Sequence, residues 1–361
     1  MRNSNISFYI GLSQTFCEGS FWEMGEIIMI KMALFDAKSY DIESFDKFSG
    51  KFGIKIKYYE TKLNEDTVKL AKGYDCVCAF VNDRITKEVI DSLNKMGIKI
   101  LALRCAGFNN VNISYAEGKI HVFRVPAYSP YAVAEHTMAL LLTSIRRIHK
   151  AYIRSRDYNF SLKNLTGFDL HNKTVGVIGT GRIGKVFIDI CKGFKMKVLA
   201  YDVHPDKSIE TDDGMVKYVD FDTLLRESDI ISLHCPLTND TYHIIDKNAL
   251  EKCKKGIIIL NTSRGALIDS SALLEMILSR KVGAACLDVY EEESSFFFED
   301  KSEHIMDDET LARLISMPNV IVTSHQAFLT KEALENIANT TLENVRVFTD
   351  TGKCENEVFS K

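Results

Sequence analysis

The sequence lacks the features that would indicate a nucleic-acid or membrane partner. It has no block of basic residues: 45 Lys and Arg stand against 49 Asp and Glu, and the formal net charge is −4. Neither a nucleic acid nor an anionic membrane surface is therefore indicated as a partner. No apolar run reaches the length of a membrane span, since the apolar stretch at 138–142 is soon followed by Arg146 and Arg147.

The start of the chain lacks the order of a secretory signal. Residues 1–31 contain no uninterrupted apolar core and show no clear periodicity. We interpret them as an extension of unknown role, either from an upstream start or as an added partner-binding arm, and we favour the first.

The cysteines lack the grouping of a disulfide framework or a metal site. They number nine and are scattered, mostly inside apolar patterns, as at Cys105, Cys235 and Cys286. Cys76 and Cys78 could form a metal or redox pair, but no further ligands stand near them. We therefore expect buried free thiols in a reducing cytoplasm and no metal.

Apolar β-type runs alternate with helical patterns from Met32 onward. With 361 residues, 46% of them hydrophobic, the chain can build two cores. Repeated strand–helix units predict parallel sheets covered by helices on both faces, so the expected fold class is α/β with two doubly wound parallel-sheet domains.

A domain boundary is predicted at 126–130, where two prolines interrupt any regular element. Ser129 and Pro130 are typical of a helix start, and the apolar spacing after them predicts one interdomain helix from Ala132 to Arg156. A last helix, from Lys331 to about 348, is expected to return to the first domain.

A glycine-rich stretch follows the predicted strand at 174–178. Gly179 suits a tight turn, Gly181 lets the backbone approach a phosphate, and Gly184 lets helix and strand pack closely. The free N–H groups of the following helix face the anion. Asp202, at the end of the next strand, favours NAD over NADP because a carboxylate accepts from ribose hydroxyls and repels a 2′-phosphate.

Three charged or titratable residues follow the ends of later predicted strands. Arg264 comes after 257–261, Glu293 after a strand ending at Asp288, and His325 ends the last strand. Ligands of open parallel sheets bind at this edge, so the three could converge on one cleft. Each also has a plainer explanation: a capping arginine, a solvated acidic loop and a structural histidine.

The three side chains together suit hydride transfer to a ketone flanked by a carboxylate. The planar fork of Arg264 can bind the carboxylate and polarise the carbonyl. His325 can donate the proton that completes the hydroxyl, and Glu293 beside it favours the charged imidazole.

Several segments in order resemble the D-isomer-specific 2-hydroxyacid dehydrogenase family and, within it, the bacterial fermentative D-lactate dehydrogenases. The resemblance covers nearly everything from Met32 to about Val358. It is carried by the segments 103–111, 125–130, 134–136, 176–184, 231–236, 261–269, 288–291, 297–301 and 325–328.

The resemblance assigns roles to individual residues. The family's catalytic Arg, Glu and His fall on Arg264, Glu293 and His325, and its substrate-carboxylate loop falls on Cys105, Ala106 and Gly107, with Tyr128 at the mouth. The cofactor contacts fall on Arg182, Ile183, Asp202, Cys235, Pro236, Thr262, Ser263 and Asp288. At one position close relatives often have Asn and this chain has Thr241, which leaves that cofactor contact open.

The resemblance also implies a domain order and a substrate. A flavodoxin-like substrate domain comprises 32–128 and 328–361, a Rossmann NAD domain at 129–327 is inserted into it, and relatives are commonly homodimers. Aromatic residues at the mouth (Tyr128, Tyr131 and 296–298) favour pyruvate over phenylpyruvate or hydroxypyruvate. An NAD-sensing binding protein, like the family's transcriptional corepressors, is the alternative from another class, and the three retained catalytic residues argue for an enzyme.

Overall fold

The computed structural model describes residues 29–293 and 296–360, whose strands form two sheets. The first sheet contains β1 (Ile30–Leu34), β2 (Ile54–Tyr58), β3 (Cys76–Ala79), β4 (Ile100–Leu103) and β5 (His121–Phe123). The second contains β6 (Thr174–Ile178), β7 (Lys197–Tyr201), β8 (Val216–Tyr218), β9 (Ile230–Leu233), β10 (Ile257–Asn261), β11 (Val282–Leu287) and β12 (Val320–Val322).

Helices connect these strands. They are α1 (Ser39–Ser49), α2 (Lys87–Lys95), α3 (Ile113–Ala116), α4 (Pro130–Arg146), α5 (Ile148–Arg156), α6 (Arg182–Gly193), α7 (Phe221–Glu227), α8 (Lys247–Lys252), α9 (Ser270–Leu278), α10 (Glu309–Ser316) and α11 (Lys331–Thr351). Short 3-10 turns lie at Val68–Ala71, Lys207–Ile209 and Gly265–Leu267.

Both sheets are parallel wherever two of these strands pair. The strand order is β2-β1-β3-β4-β5 in the first and β12-β11-β10-β9-β6-β7-β8 in the second. The first order is that of flavodoxin, and the second is the dinucleotide-binding order with one further strand. The predicted α/β class with two doubly wound parallel sheets is confirmed.

Each sheet is covered on both faces, which is why its central strands read as continuous apolar runs. All residues of β3, β4, β9 and β10 are buried. Two hydrophobic clusters flank the first sheet and two flank the second. Each fully buried Leu or Ile side chain contributes roughly 1.5–3 kcal/mol to these cores.

The last helix, α11, packs against the first sheet. Ile337, Ala338, Leu342 and Val345 belong to the clusters on the two faces of that sheet. The side-chain amide of Asn344 donates to the carbonyl of residue 124, 3.0 Å away. We refer to the first sheet with α1–α3 and α11 as the first unit, and to the second sheet with α4 and α6–α10 as the second unit.

The interdomain helix predicted over 132–156 is wrong as a single element. The chain forms α4 and α5, separated by Arg147 in the left-handed conformation with φ 52°. The N–H of Arg147 donates to the carbonyls of Thr143 and Ser144 and closes α4. No residue of α5 is buried, so the apolar spacing that continues through Ile148 does not hold it in line with α4.

Other differences concern bounds and missed elements. Strand β1 begins at Ile30, two residues before the predicted start at Met32, and residues 1–28 of the predicted extension lie outside the described residues. No element was predicted at the positions of α1, α3, β8 and α10. Within the described ranges, no helix is long and apolar enough to cross a membrane.

The thiol prediction is confirmed for the cysteines that the structure describes. All of them are free thiols. All are buried except Cys354, which is half-buried. No group of three metal-ligating side chains occurs within the same residues.

Candidate active site

A cavity of about 320 Å³ lies between the two units, at the carboxyl ends of their strands. Its wall includes every residue predicted to act on the substrate: Cys105, Ala106, Gly107, Tyr128, Arg264, Glu293 and His325. Residues separated by up to 220 positions therefore meet in one cleft (325 − 105).

His325 and Glu293 are in contact. Nδ1 of His325 lies 2.7 Å from Oε1 of Glu293, and the two side chains are 20% and 18% exposed. The second carboxylate oxygen of Glu293 accepts from the N–H of Tyr290, 3.1 Å away. Because Glu293 is fixed by this second bond, it orients the imidazole and leaves Nε2 as the ring nitrogen that can exchange a proton.

The backbone of His325 is held in an uncommon conformation, with φ 54°. Its N–H donates to the carbonyl of Asp288 over 2.7 Å. The side chain of Asp288, fully buried, accepts from the N–H groups of Gln326 and Ala327 at 2.9 and 2.8 Å. Asp288 thus fixes the turn that carries His325.

Two further groups reach the same carboxylate. The hydroxyl of Thr323 donates to Asp288 over 2.5 Å, and Nε2 of His136 on α4 lies 3.4 Å from it. Burial alone would raise the pKa of Asp288, but the hydrogen bonds from His136, Thr323 and the two N–H groups hold it below its ordinary value. The resemblance implies a cofactor contact for Asp288, and these hydrogen bonds give it a second role in holding the turn of His325.

Arg264 follows β10 and enters the cavity from the second unit. The side chain of Asn261 donates to the carbonyl of Arg264 over 2.8 Å, and Nη1 of Arg264 donates to the carbonyl of Ser263 over 2.7 Å. A Cβ on Gly107 would lie 2.8 Å from Nη2 of Arg264. The guanidinium therefore lies directly against the predicted carboxylate loop of the first unit.

That loop follows β4 and is shaped by its own side chains. Sγ of Cys105 lies 3.2 Å from the carbonyl of Gly107, and burial raises the pKa of this thiol to about 12, so it stays protonated and can donate. Arg124 donates to the carbonyl of Ala106 over 3.1 Å. Beneath the loop Arg104, fully buried, donates to carbonyls of the β1 end and to Asp41.

Tyr128 stands where the chain leaves the first unit. It lines the 320 Å³ cavity and also a smaller one of about 60 Å³, shared with Ile183, Thr262, Ser263 and Arg264. Burial raises the pKa of its hydroxyl, and Arg264 opposes that rise. The smaller cavity joins the predicted substrate residues to the predicted cofactor residues.

The glycine stretch has the local geometry that a pyrophosphate needs. Gly179 has φ 93°, and a Cβ on it would lie 2.5 Å from the backbone nitrogen of Cys235. A Cβ on Gly184 would lie 2.1 Å from the carbonyl oxygen of Gly179. A Cβ on Gly181, the residue before α6, would have no atom of the described residues within 4 Å, so this side of the turn is open at the helix N-terminus.

Asp202 directly follows β7, the strand beside the glycine turn. Its carboxylate accepts from the N–H groups of Thr180 at 2.7 Å and His204 at 2.9 Å. Partial burial opposes ionisation, but these hydrogen bonds lower the pKa of Asp202 below its ordinary value. A fixed, charged carboxylate therefore lies next to the turn, as the predicted ribose contact requires.

The remaining predicted cofactor residues surround the same edge. The carbonyl of Cys235 accepts from the hydroxyl of Ser263 over 2.7 Å, and Arg182 is exposed at the start of α6. The hydroxyl of Thr241, where the family pattern departs, donates to the carbonyl of Pro236 over 2.7 Å. Thr241 thus fixes its own turn.

Several residues of the cavity wall are absent from the prediction. They are Phe80, Val81, Asn82, Arg104, Asn109, Asn110, Glu291, Phe328 and Ile337. The first three follow the end of β3, so the strand-end rule that located Arg264 and His325 would have found them too. Ile337 lies on α11 and has no such signal.

Comparisons with known proteins identify the family of this chain. Residues 138–327 match the family model described as D-isomer specific 2-hydroxyacid dehydrogenase, NAD binding domain. The chain is 48% identical over 330 residues to D-lactate dehydrogenase of Escherichia coli K12, covering 91% of this chain and 100% of that protein.

Two solved structures extend the comparison. The pyruvate reductase of Chlamydomonas reinhardtii matches with a TM-score of 0.84 and 42% identity, covering 89% of this chain and 97% of that one. The D-lactate dehydrogenase of Lactobacillus jensenii, solved with NAD+, matches with a TM-score of 0.76 and 32% identity, covering 92% and 100%.

Proposed function

This chain belongs to the D-isomer specific 2-hydroxyacid dehydrogenase family, and we propose that it reduces pyruvate to D-lactate with NADH, reversibly. Family membership makes it an NAD-dependent oxidoreductase, which confirms the predicted family and cofactor. The choice of pyruvate is supported by the names of its relatives, a D-lactate dehydrogenase and a pyruvate reductase.

The observation that carries the catalytic proposal is the 2.7 Å contact between His325 and Glu293 in the same cavity as Arg264. NADH, when bound, supplies the hydride that adds to the carbonyl carbon of pyruvate. His325 gives the proton from Nε2 to the carbonyl oxygen, and Glu293 stabilises the charged imidazole before that transfer. In the oxidation of D-lactate, His325 accepts the proton.

Arg264 binds the substrate carboxylate and polarises the adjacent carbonyl. A guanidinium presents two parallel N–H donors to a carboxylate, and a lysine could not match that geometry. The backbone N–H groups of Cys105, Ala106 and Gly107 bind the carboxylate from the first unit. Since Nη2 of Arg264 lies against Gly107, both sets of donors can reach one small anion.

The residues present fit NAD. The close approach at Gly179 and Gly184 and the open side at Gly181 suit a pyrophosphate, and Arg182 and Ile183 begin the helix that faces it. Asp202 accepts from the ribose hydroxyls. Further contacts are proposed for Cys235, Pro236, Thr241, Thr262 and Ser263, whereas Asp288, whose carboxylate holds the turn of His325, is proposed to act through that turn.

Pyruvate is favoured over bulkier 2-keto acids because aromatic rings narrow the cavity. Phe80 lies against Phe298 at 5.4 Å between ring centroids, and Phe328 lies 6.4 Å from Tyr128. These rings limit the room for the phenyl group of phenylpyruvate more than for the methyl group of pyruvate.

We propose that the first domain comprises 32–128 and 328–361 and that the nucleotide domain comprises 129–327. A cytoplasmic location is supported by the free thiols. A homodimer is supported by apolar side chains that α5 and the following segment expose: Tyr152, Ile153, Tyr158, Phe160 and Leu162 are 59–85% exposed. Light scattering after gel filtration measures the mass, and a monomer at micromolar concentration would contradict the dimer.

Steady-state assays test the enzyme. We expect NADH oxidation to be fastest with pyruvate among pyruvate, hydroxypyruvate and phenylpyruvate, and the product to be the D-isomer on chiral analysis. Comparable turnover of phenylpyruvate or hydroxypyruvate would overturn the substrate. A His325→Gln protein with unchanged turnover would overturn the proton-transfer role.

A further inference from the structure

One residue of the cavity wall has an unused hydrogen-bonding group. Asn82 is half-buried, its Nδ2 atom is fully buried, and no group of the described residues accepts from that atom. Of the four such side-chain atoms in the described part of the chain, only this one belongs to the wall shared by Arg264 and His325. A buried donor without an acceptor is costly, so such groups in a cleft mark a place for a ligand acceptor.

The backbone around Asn82 is fixed from both sides. The carboxylate of Asp83 accepts from the N–H groups of Phe80 and Leu63, both at 2.5 Å. The amide of Asn110 donates to the carbonyls of Phe80 and Asp83 at 2.9 and 3.0 Å. These bonds hold the backbone on both sides of Asn82 in place.

The same bonds place Asn82 beside the carboxylate loop. Strands β3 and β4 are neighbours, residues 80–83 follow β3, and 105–107 follow β4. Asn110, six residues after Arg104, belongs to the β4 segment and ties the two loops together. Of the acceptors that a 2-keto acid carries, its carboxylate is therefore the one nearest to Asn82.

We propose that the side-chain amide of Asn82 donates a hydrogen bond to the substrate carboxylate. This rests on the proposed function. Asn82 adds a neutral donor to the backbone N–H groups of 105–107 and to the guanidinium of Arg264 in the same cavity wall. It contributes no proton to the reaction, so it acts on substrate binding.

Two variants of similar size test the proposal. Asn82→Leu removes the amide, and Asn82→Asp puts a negative charge in its place. Because a hydrogen bond to a charged group is lost, we expect Asn82→Leu to raise KM for pyruvate about 10- to 100-fold while kcat changes less than about threefold. Asn82→Asp should raise KM further, since two carboxylates repel. Asn336→Leu, at an exposed position of α11, is the matched control.

A binding measurement separates this proposal from the proposed function. Oxamate, a carboxylate analogue of pyruvate, is titrated into each protein with NADH bound, and its Kd should rise in parallel with KM. NADH affinity should stay unchanged, which shows that the variants are folded. An Asn82→Leu protein with unaltered KM for pyruvate and unaltered Kd for oxamate would overturn the assignment. A rise in KM for hydroxypyruvate alone would also overturn it, because Asn82 would then contact the hydroxyl group and not the carboxylate. A wild-type protein that binds oxamate but reduces no 2-keto acid would refute the proposed function. The oxamate Kd of wild type and Asn82→Leu would still show whether Asn82 binds the carboxylate.

Discussion

A methyl group on Gly107 would lie 2.8 Å from Nη2 of Arg264, which is closer than a carbon and a nitrogen can approach without displacement. These residues belong to different units and meet across the cleft. The absence of a side chain at 107 is therefore what lets the guanidinium lie against the carboxylate loop.

Gly107→Ala should displace the guanidinium and weaken carboxylate binding. We expect kcat/KM for pyruvate to fall about 10- to 100-fold, since misplacing a substrate-positioning group by about 1 Å has effects of that size. The measurement is steady-state kinetics at saturating NADH. Gly50→Ala, where an added Cβ meets nothing within 4 Å, serves as the control and should leave kcat/KM unchanged. Equal kinetics for both variants would show that Arg264 adapts freely.

Asp288→Asn distinguishes the two roles available to Asp288. The carboxylate holds the turn of His325 through the N–H groups of Gln326 and Ala327, and an amide retains only one acceptor oxygen. We expect kcat to fall about 100-fold, a size typical of losing the orientation of a catalytic base. NADH affinity, measured by fluorescence titration, should change little. A large loss of NADH affinity with an unaffected kcat would instead favour the cofactor contact implied by the resemblance.

Asp202→Ala should relax the choice between the two nicotinamide cofactors. Removing the carboxylate removes both the acceptor for the ribose and the repulsion of a 2′-phosphate. We expect the ratio of KM for NADPH to KM for NADH to fall by about tenfold or more, equivalent to about 1.4 kcal/mol. Asp212→Asn removes an exposed charge from the loop before β8 and should leave the ratio unaltered. Unchanged preference in Asp202→Ala would remove Asp202 from the cofactor site.

Asp83 should make stability depend on pH. Burial raises its pKa from 3.8 to about 6, although Arg104 and two backbone N–H groups oppose the rise. Since the folded-state pKa is the higher one, the contribution to stability is complete below about pH 4 and is lost as pH rises through about 6. The loss by pH 7 is about 3 kcal/mol.

Urea unfolding of wild type and Asp83→Asn at pH 4 and pH 7 measures this effect. Asn cannot ionise, so the free energy of unfolding of the wild type should decrease relative to the variant as pH rises. A difference between the two proteins that is the same at both pH values would mean that Asp83 has an ordinary pKa.

Much of the fold was predictable because its strands are buried on both faces and stand out as apolar runs. The same periodicity failed at Arg147, where a left-handed residue with no glycine or proline beside it ends α4. The apolar spacing continues past Arg147, but the apolar side chains of α5 are not buried against the rest of the protein. The spacing of apolar residues predicts a helix, but it does not show whether another part of the protein covers the apolar face of that helix.

The candidate site was predictable as far as strand ends and family motifs reach. Arg264, Glu293 and His325 share one cavity wall, and their chemical roles stay predictions. The partners of Asp288 and the unpaired amide of Asn82 were not predictable, because they depend on which hydrogen bonds the folded loops complete. A sequence pattern does not show that a side-chain amide such as that of Asn82 has no acceptor in the folded protein.

The position of α11 has a consequence for protein synthesis. The strands of the first sheet are made early, yet the helix that covers part of that sheet comes after the whole second unit. While the ribosome is still translating residues 129–330, Ala338, Leu342 and Val345 have not yet been added to the chain. The apolar surface of the first sheet that these side chains cover is therefore exposed during that time. The first sheet is therefore synthesised first but completed last. A nascent chain that stalls before Lys331 exposes this apolar surface, to which a chaperone can bind.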